Sequence, residues 1–217
     1  LTVETHISFH ESIAEGLIAQ SEALGAEAIV VGGSGGGLVG SLSLGSVVNE
    51  LVHSSPIPLV ISPRGARYQK NLRVREVTCA MGTRPGAHVL LDTALQACQR
   101  AKAPLRLVSL VSFDPIPGGD DDQSARERAA IHARQSLETA KLILPPDFPV
   151  TSIVAEGPTI EAAVNKLDWH EGDIIMVGSS RLAQPRRLFL GSTAAKMLRV
   201  LQVPMVVIPK EEACLLY

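Results

Sequence analysis

The chain has 217 residues, of which 46% are hydrophobic and 19% charged, and its formal net charge is −2. That length allows one or two domains, and the composition can fill a buried core. A near-neutral balance with 3% aromatics supplies neither a basic footprint nor stacking rings, which argues against nucleic acid as the main partner. No apolar run reaches the ~20 residues of a membrane-spanning helix, and no signal-peptide pattern opens the chain. Cys79, Cys98 and Cys214 lack metal-ligand spacing and read as reduced thiols of a cytoplasmic protein.

Residues 1–8, LTVETHIS, alternate and are rich in β-branched side chains, which predicts a strand. Residues 9–24 place Ile13, Ala14, Leu17, Ile18 and Leu24 at helical spacing, and Gly25 follows as a terminating glycine. Residues 29–31 form a short apolar run that predicts a buried strand. A glycine-dense loop comes next, then a helix over 46–53 with Ser46 at the N-cap. Ser54-Ser55-Pro56 stops that helix, residues 59–62 predict a strand, and residues 65–71 form a polar linker.

A second unit begins near residue 72. Strands are predicted over 74–80, 105–111, 150–155, 173–177 and 204–208, and helices over 87–102, 123–144, 159–169 and 192–201. Strands and helices alternate, so the sheet should be mostly parallel. The acidic loop at 114–122 reads as a solvated segment rather than a metal site. His6 and His10 straddle a predicted strand-to-helix boundary, so their spacing does not place them on one face.

Glycine fills seven of the fourteen positions from Gly32 to Gly45. Such a loop carries a large backbone entropy cost, accepted where φ must be positive or a ligand must touch the backbone. Strand, bare loop and polar-capped helix together make an anion site, because free amides and the helix dipole point the same way. The spacing Gly32, Gly35, Gly45-Ser46 is G-x2-G-x9-G-S. It returns 146 residues later as Gly178, Arg181, Gly191 and Ser192, with similar flanks: Pro58-Leu-Val-Ile-Ser-Pro against Pro204-Met-Val-Val-Ile-Pro.

This pattern resembles the nucleotide-binding signature of the universal stress protein family. The resemblance covers nearly all of the second unit. It implies an α/β fold with an open, mostly parallel five-stranded sheet in the order 3-2-1-4-5, helices on both faces and a Rossmann-like build, here in tandem. The implied division is residues 1–64 for the later half of a first domain, 65–71 for the linker, 72–209 for a second domain and 210–217 for a tail. The first copy opens at its third strand, so the expectation is that further strands precede residue 1 in the natural protein. The resemblance also implies that Gly32, Gly35, Gly45, Ser46 and Val47 contact phosphates, with Val31 against the nucleoside. ATP or a related adenine nucleotide, with or without Mg, is the implied ligand, and a stress-response role the implied function. A homodimer formed through the edges of the last strands, residues 59–62 and 205–208, is expected too, unless those two strands pair with each other.

The second site, Gly178, Arg181, Gly191, Ser192 and Thr193, is expected to be degenerate. Arg181 stands where the second glycine belongs, and the resemblance implies an acid where Met81 stands. Leu110 occupies the expected adenine-contacting position. Arg181, Arg186 and Arg187 could still attract a free anion.

Three rival motifs fit the glycine loop less well. Gly35 to Gly40 matches G-x-G-x-x-G, but a dinucleotide fingerprint opens a helix at once and needs an acid on the next strand. Gly32 to Gly36 matches G-x-S-x-G, yet a nucleophile elbow at Ser34 needs a helix directly afterwards, and three glycines follow. A Walker A loop needs Gly-Lys-Ser/Thr, and Gly45-Ser46 has no lysine. Without that lysine, a base or a metal carboxylate in the loop, at most slow hydrolysis or autophosphorylation is expected. No catalytic residue and no metal ligand is assigned. The alternatives are a nucleotide-free dimeric scaffold and the regulatory tail of a transporter.

Overall fold

A computed structural model describes residues 2–32, 45–63, 70, 73–82, 87–113, 123–180 and 187–209. The first unit contributes α1 (Ile13–Ala23), β1 (Ile29–Gly32), α2 (Ser46–Ser54) and β2 (Leu59–Ser62). The second contributes β3 (Glu76–Ala80), α3 (Ala87–Ala101), β4 (Leu105–Ser112), α4 (Gln123–Leu142), β5 (Val150–Gly157), α5 (Ile160–Asn165), β6 (Asp173–Gly178), α6 (Ser192–Leu198) and β7 (Met205–Ile208).

The seven strands form one sheet in the order β1-β2-β7-β6-β3-β4-β5. The second unit alone reads β5-β4-β3-β6-β7, which is the expected 3-2-1-4-5 order with all neighbours parallel. The expected five-stranded sheet is thus extended to seven by β2 and β1. The extension runs through a single antiparallel contact, β2 against β7, where Leu59 faces Val207, Val60 faces Val206 and Ile61 faces Met205. Val60 therefore lies opposite its own counterpart 146 residues later. That register is what a local two-fold axis between the two units requires.

These strands pair with each other, as one of the two expectations held. The expected homodimer through the same edges is corrected by this. β2 is flanked by β1 and β7, and β7 by β2 and β6, so neither strand keeps a free row of amides for a second chain.

Helices cover both faces. On one face Leu51, Leu59 and Ile61 of the first unit join Ile175, Val177, Met197, Leu198, Met205 and Val207 of the second in a single core, which also takes in Ile160 and Val164 of α5. On the other face α3 and α4 press Leu90, Leu91, Cys98 and Leu137 against Val77, Cys79, Leu105 and Leu107. The two sequence units therefore share a sheet and a core.

The strand expected over residues 1–8 does not form among residues 2–8. Val3 and Ile7 stand 85% and 83% exposed. Alternation makes a strand only where a neighbour accepts its hydrogen bonds. The comparable segment of the second unit, β5, has β4 beside it, whereas the residues ahead of β1 pair with no strand among the described residues. The helix expected over 159–169 stops at Asn165, because Trp169 folds back and its Nε1 donates to Val164 O. The helix expected over 192–201 stops at Leu198, where the amides of Val200 and Leu201 both turn to Met197 O. Gly25, φ +59°, ends the first helical segment as expected, just beyond the Leu24 cap.

Candidate functional site

The two glycine-loop helices start in the same unusual way. Helices α1 and α5 are capped by side chains: Ser12 Oγ accepts from Glu15 N at 3.3 Å, and Thr159 Oγ1 accepts from Ala162 N at 3.1 Å. Helices α2 and α6 begin behind glycine. Gly45 and Gly191 are the N-cap residues, both extended, with ψ 161° and 160°, and neither has a side chain to lend. Their carbonyls accept the first helical bonds, from Asn49 N and Ala195 N, each at 2.9 Å. Ser46 is expected at the N-cap; it is instead the first helical residue, as Ser192 is in α6. The reason is that a serine Oγ at the cap would satisfy a first-turn amide itself, whereas a glycine leaves those amides to an outside acceptor.

In the first unit, β1 ends at the exposed Gly32, with Val31 half-buried against the core. Gly45 and Val47 are half-buried and Ser46 is exposed at the opening of α2. The structure thus presents Val31 and Gly32 at a strand end, and Gly45, Ser46 and Val47 at a helix start. Gly35, Ser34 and the rest of residues 33–44 lie outside the described residues.

In the second unit the corresponding backbone is turned inward. Ser179 N donates to Ile208 O at 2.8 Å, and Ser180 N to Phe189 O at 2.8 Å. Phe189 N donates to Ser179 Oγ at 2.7 Å. Leu188 N and Leu190 N donate to Ser55 O and Val52 O of α2, at 2.9 and 3.0 Å. A Cβ on Gly191 would lie 3.4 Å from the Ser180 Cβ, so that side chain already crowds the helix start. The amides of Ser179, Ser180 and Leu188 to Leu190 are thus committed within the protein, and sequence reasoning missed this because Ser179 and Phe189 carry no motif. Gly178, Ser192 and Thr193 are exposed at this end, and Arg181 and Arg186 lie outside the described residues.

At the two positions where the resemblance implies the nucleoside end of the second site, the side chains are half-buried and pack against the core. Met81 packs beside Cys79, whose Sγ lies 3.5 Å from the Met81 Sδ, and Leu110 packs between Val108 and the α5 layer. Burial pushes the Cys79 thiol up to about 12, with Cys98 adding to the effect. These thiols are core groups without nucleophilic character.

The antiparallel β2–β7 junction sends the two units in opposite directions. The carboxyl ends of β1 and β2 therefore point to one edge of the sheet, and those of β3 to β7 to the other. The two candidate sites lie on opposite edges. Among the described residues no three His, Cys, Asp or Glu side chains converge as a metal set, and no helix is long and apolar enough to cross a membrane. His6 and His10 instead sit beside Glu4 and Glu15, at 3.5 and 3.6 Å. The acidic run at 114–122 lies outside the described residues.

The model of the universal stress protein family matches residues 1–63 and 74–209. The chain is 28% identical over 214 residues to the universal stress protein Rv2319c of Mycobacterium tuberculosis and to Mb2346c of Mycobacterium bovis, covering 96% of itself and 73% of each relative. Among solved structures it is similar to the functionally unknown protein PA1789 of Pseudomonas aeruginosa, with TM-score 0.62 and 17% identity over 93% of this chain and 69% of that one. A universal stress protein of Archaeoglobus fulgidus gives TM-score 0.58 and 20% identity over 91% and 66%. Likenesses at this identity speak for the fold.

Proposed function

The chain belongs to the universal stress protein family, and from that membership we propose that its first unit binds ATP or a related adenine nucleotide. The observation that carries the reading is the start of α2. A glycine N-cap without a side-chain bond opens a helix whose first residue, Ser46, is exposed, directly after a glycine-dense loop. Free first-turn amides at the positive end of a helix dipole are suited to phosphate oxygens. In this reading Gly32, Gly35, Gly45, Ser46 and Val47 hold the phosphates, Val31 lies against the nucleoside, and Mg, where present, accompanies the phosphates. The second unit binds no nucleotide and acts as the structural partner of the first. The role is regulatory, in a stress response and in the cytoplasm, with nucleotide occupancy as the signal. Hydrolysis is slow at most, since no lysine or general base stands in the motif.

Equilibrium dialysis of labelled ATP tests the site. Gly35→Arg should abolish binding while the far-UV spectrum and melting temperature hold, because the second unit carries Arg181 at the same place. Unchanged affinity in that variant would refute the phosphate cradle. Absence of binding in the unmodified protein would favour a nucleotide-free scaffold.

A further inference from the structure

The second unit's loop does not stop at satisfying itself. Its segment from Arg187 to Gly191 lies across the carboxyl end of α2, the helix whose amino end forms the candidate phosphate site. Leu188 N donates to Ser55 O and Leu190 N to Val52 O. These are two of the terminal carbonyls that a helix cannot satisfy within itself. Leu188 and Leu190, 1% and 7% exposed, enter the same core as Val48, Leu51 and Val52 of α2. Between them the Phe189 ring meets the His53 ring edge-on, with centroids 4.9 Å apart and planes at 82°. His53 is itself fixed on its helix, since Nδ1–H donates to Asn49 O at 2.6 Å. Phe189 is fixed from behind by the Ser179 hydroxyl and the Ser180 amide.

Each link in this chain is short and directional: the end of β6, Phe189, His53, and a helix of nine residues. A helix of that length behaves as a rod of about 14 Å, so whatever fixes one end sets the direction of the other. We propose that Phe189 of the second unit is a positioning residue for the first unit's site. Through His53 it holds α2 at the angle that lets the amides after Gly45 converge on one anion. The degenerate loop has thereby exchanged ligand binding for clamping its neighbour's helix. The ligand part of this inference rests on the nucleotide reading above; the clamp itself does not.

The experiment uses the full chain and three substitutions: Phe189→Ala, Phe189→Tyr, which keeps the ring, and Phe148→Ala, which removes a ring from the opposite core face. Hydrogen exchange is followed over residues 46–55 without ligand, and ATP affinity is measured by calorimetry at a temperature where every variant is folded. Phe189→Ala should speed exchange in that helix and weaken ATP binding about ten-fold, the scale of a coupling contact. Phe189→Tyr should restore both, and Phe148→Ala should alter neither. The substitution His53→Ala should add little to Phe189→Ala, because the two act through one contact. Unchanged exchange in Phe189→Ala overturns the clamp whether or not ATP binds. Faster exchange with unchanged ATP affinity overturns the positioning role while the nucleotide reading stands. If the unmodified chain binds no ATP, the nucleotide reading fails and the positioning role fails with it.

Discussion

Removing Arg75 should cost the protein more than removing Asp173, although the two share one ion pair. Asp173 opens β6 with its side chain wholly buried, while the Arg75 side chain is 43% exposed. The carboxylate accepts from Arg75 Nε at 2.7 Å, from Arg75 Nη2 at 3.0 Å and from His170 N at 2.9 Å. In Asp173→Ala the guanidinium turns to water, so the loss is chiefly two charge-assisted hydrogen bonds, about 2 kcal/mol. In Arg75→Ala the carboxylate stays buried with the His170 amide as its hydrogen-bond donor and the His170 ring 3.8 Å away. An uncompensated buried charge costs about 4 kcal/mol. The double substitution should cost less than the sum by about 1 kcal/mol or more, since the two residues share one network. Urea unfolding followed by circular dichroism measures all three. Equal costs, or a costlier Asp173→Ala, would show that burial of the carboxylate does not set the balance. The pair ties β3 to β6 at the edge opposite the Gly178 loop, so it bears on stability and leaves nucleotide affinity unchanged.

Burial raises the Cys79 thiol to about 12 and the Cys98 thiol to about 11 from their ordinary value of 9.0. The unfolded chain loses these protons first. Stability should therefore be complete below about pH 9 and fall above it, by up to about 1.4 kcal/mol per pH unit for each thiol; a urea midpoint that stays flat from about pH 9 to 11 would refute this. Gly157→Ala should destabilise by about 2 kcal/mol, the scale of core overpacking. The added Cβ would lie 2.6 Å from Ala163 N, a backbone atom that cannot step aside; thermal melts read the loss. A chain carrying Gly35→Arg should show no residual micromolar ATP binding in calorimetry, and adding Met81→Asp should not restore it. The unmodified chain should saturate near one nucleotide per chain, and a stoichiometry near two would show that the second unit binds after all.

Several features were legible in the letters because they rest on local rules. The repeat at 146 residues placed the pairs Gly32 and Gly178, Gly45 and Gly191, and Val60 and Val206, and the last of these fixed the junction register. Continuous apolar runs such as residues 105–111 marked buried parallel strands, because both faces of β4 are covered. Residues 1–8 misled because an alternating pattern states a capacity for pairing and says nothing of a partner. Ser46 misled for a subtler reason. The sequence Gly-Ser offers two consecutive N-cap residues, and propensity favours serine. The backbone chose glycine, which leaves the first-turn amides uncapped. The inward turn of the second loop was not legible at all, since it depends on Ser179, Phe189 and two carbonyls of a helix more than a hundred residues earlier in the chain.

The proposed division of labour between the two copies of the motif is compatible with the sheet. An antiparallel junction between equivalent strands sends the carboxyl ends of β1 and β6 to opposite ends of the sheet, so Gly32 and Gly178 do not face one ligand. The second unit's segment 187–191 lies instead against a helix of the first unit, because α1, α2, α5 and α6 pack on one face. In the second unit that proximity is used: Leu188 and Leu190 give their amides to α2 rather than to a ligand. A buried amide can serve only one acceptor well. Commitment to the neighbouring helix and commitment to a phosphate are therefore mutually exclusive for this loop. The substitution of glycine by Arg181 then removes nothing that the second unit still requires. What the second unit does show is β7 held against β2 and the Phe189 ring held against His53, the two contacts on which the proposed clamp of the first unit's helix rests.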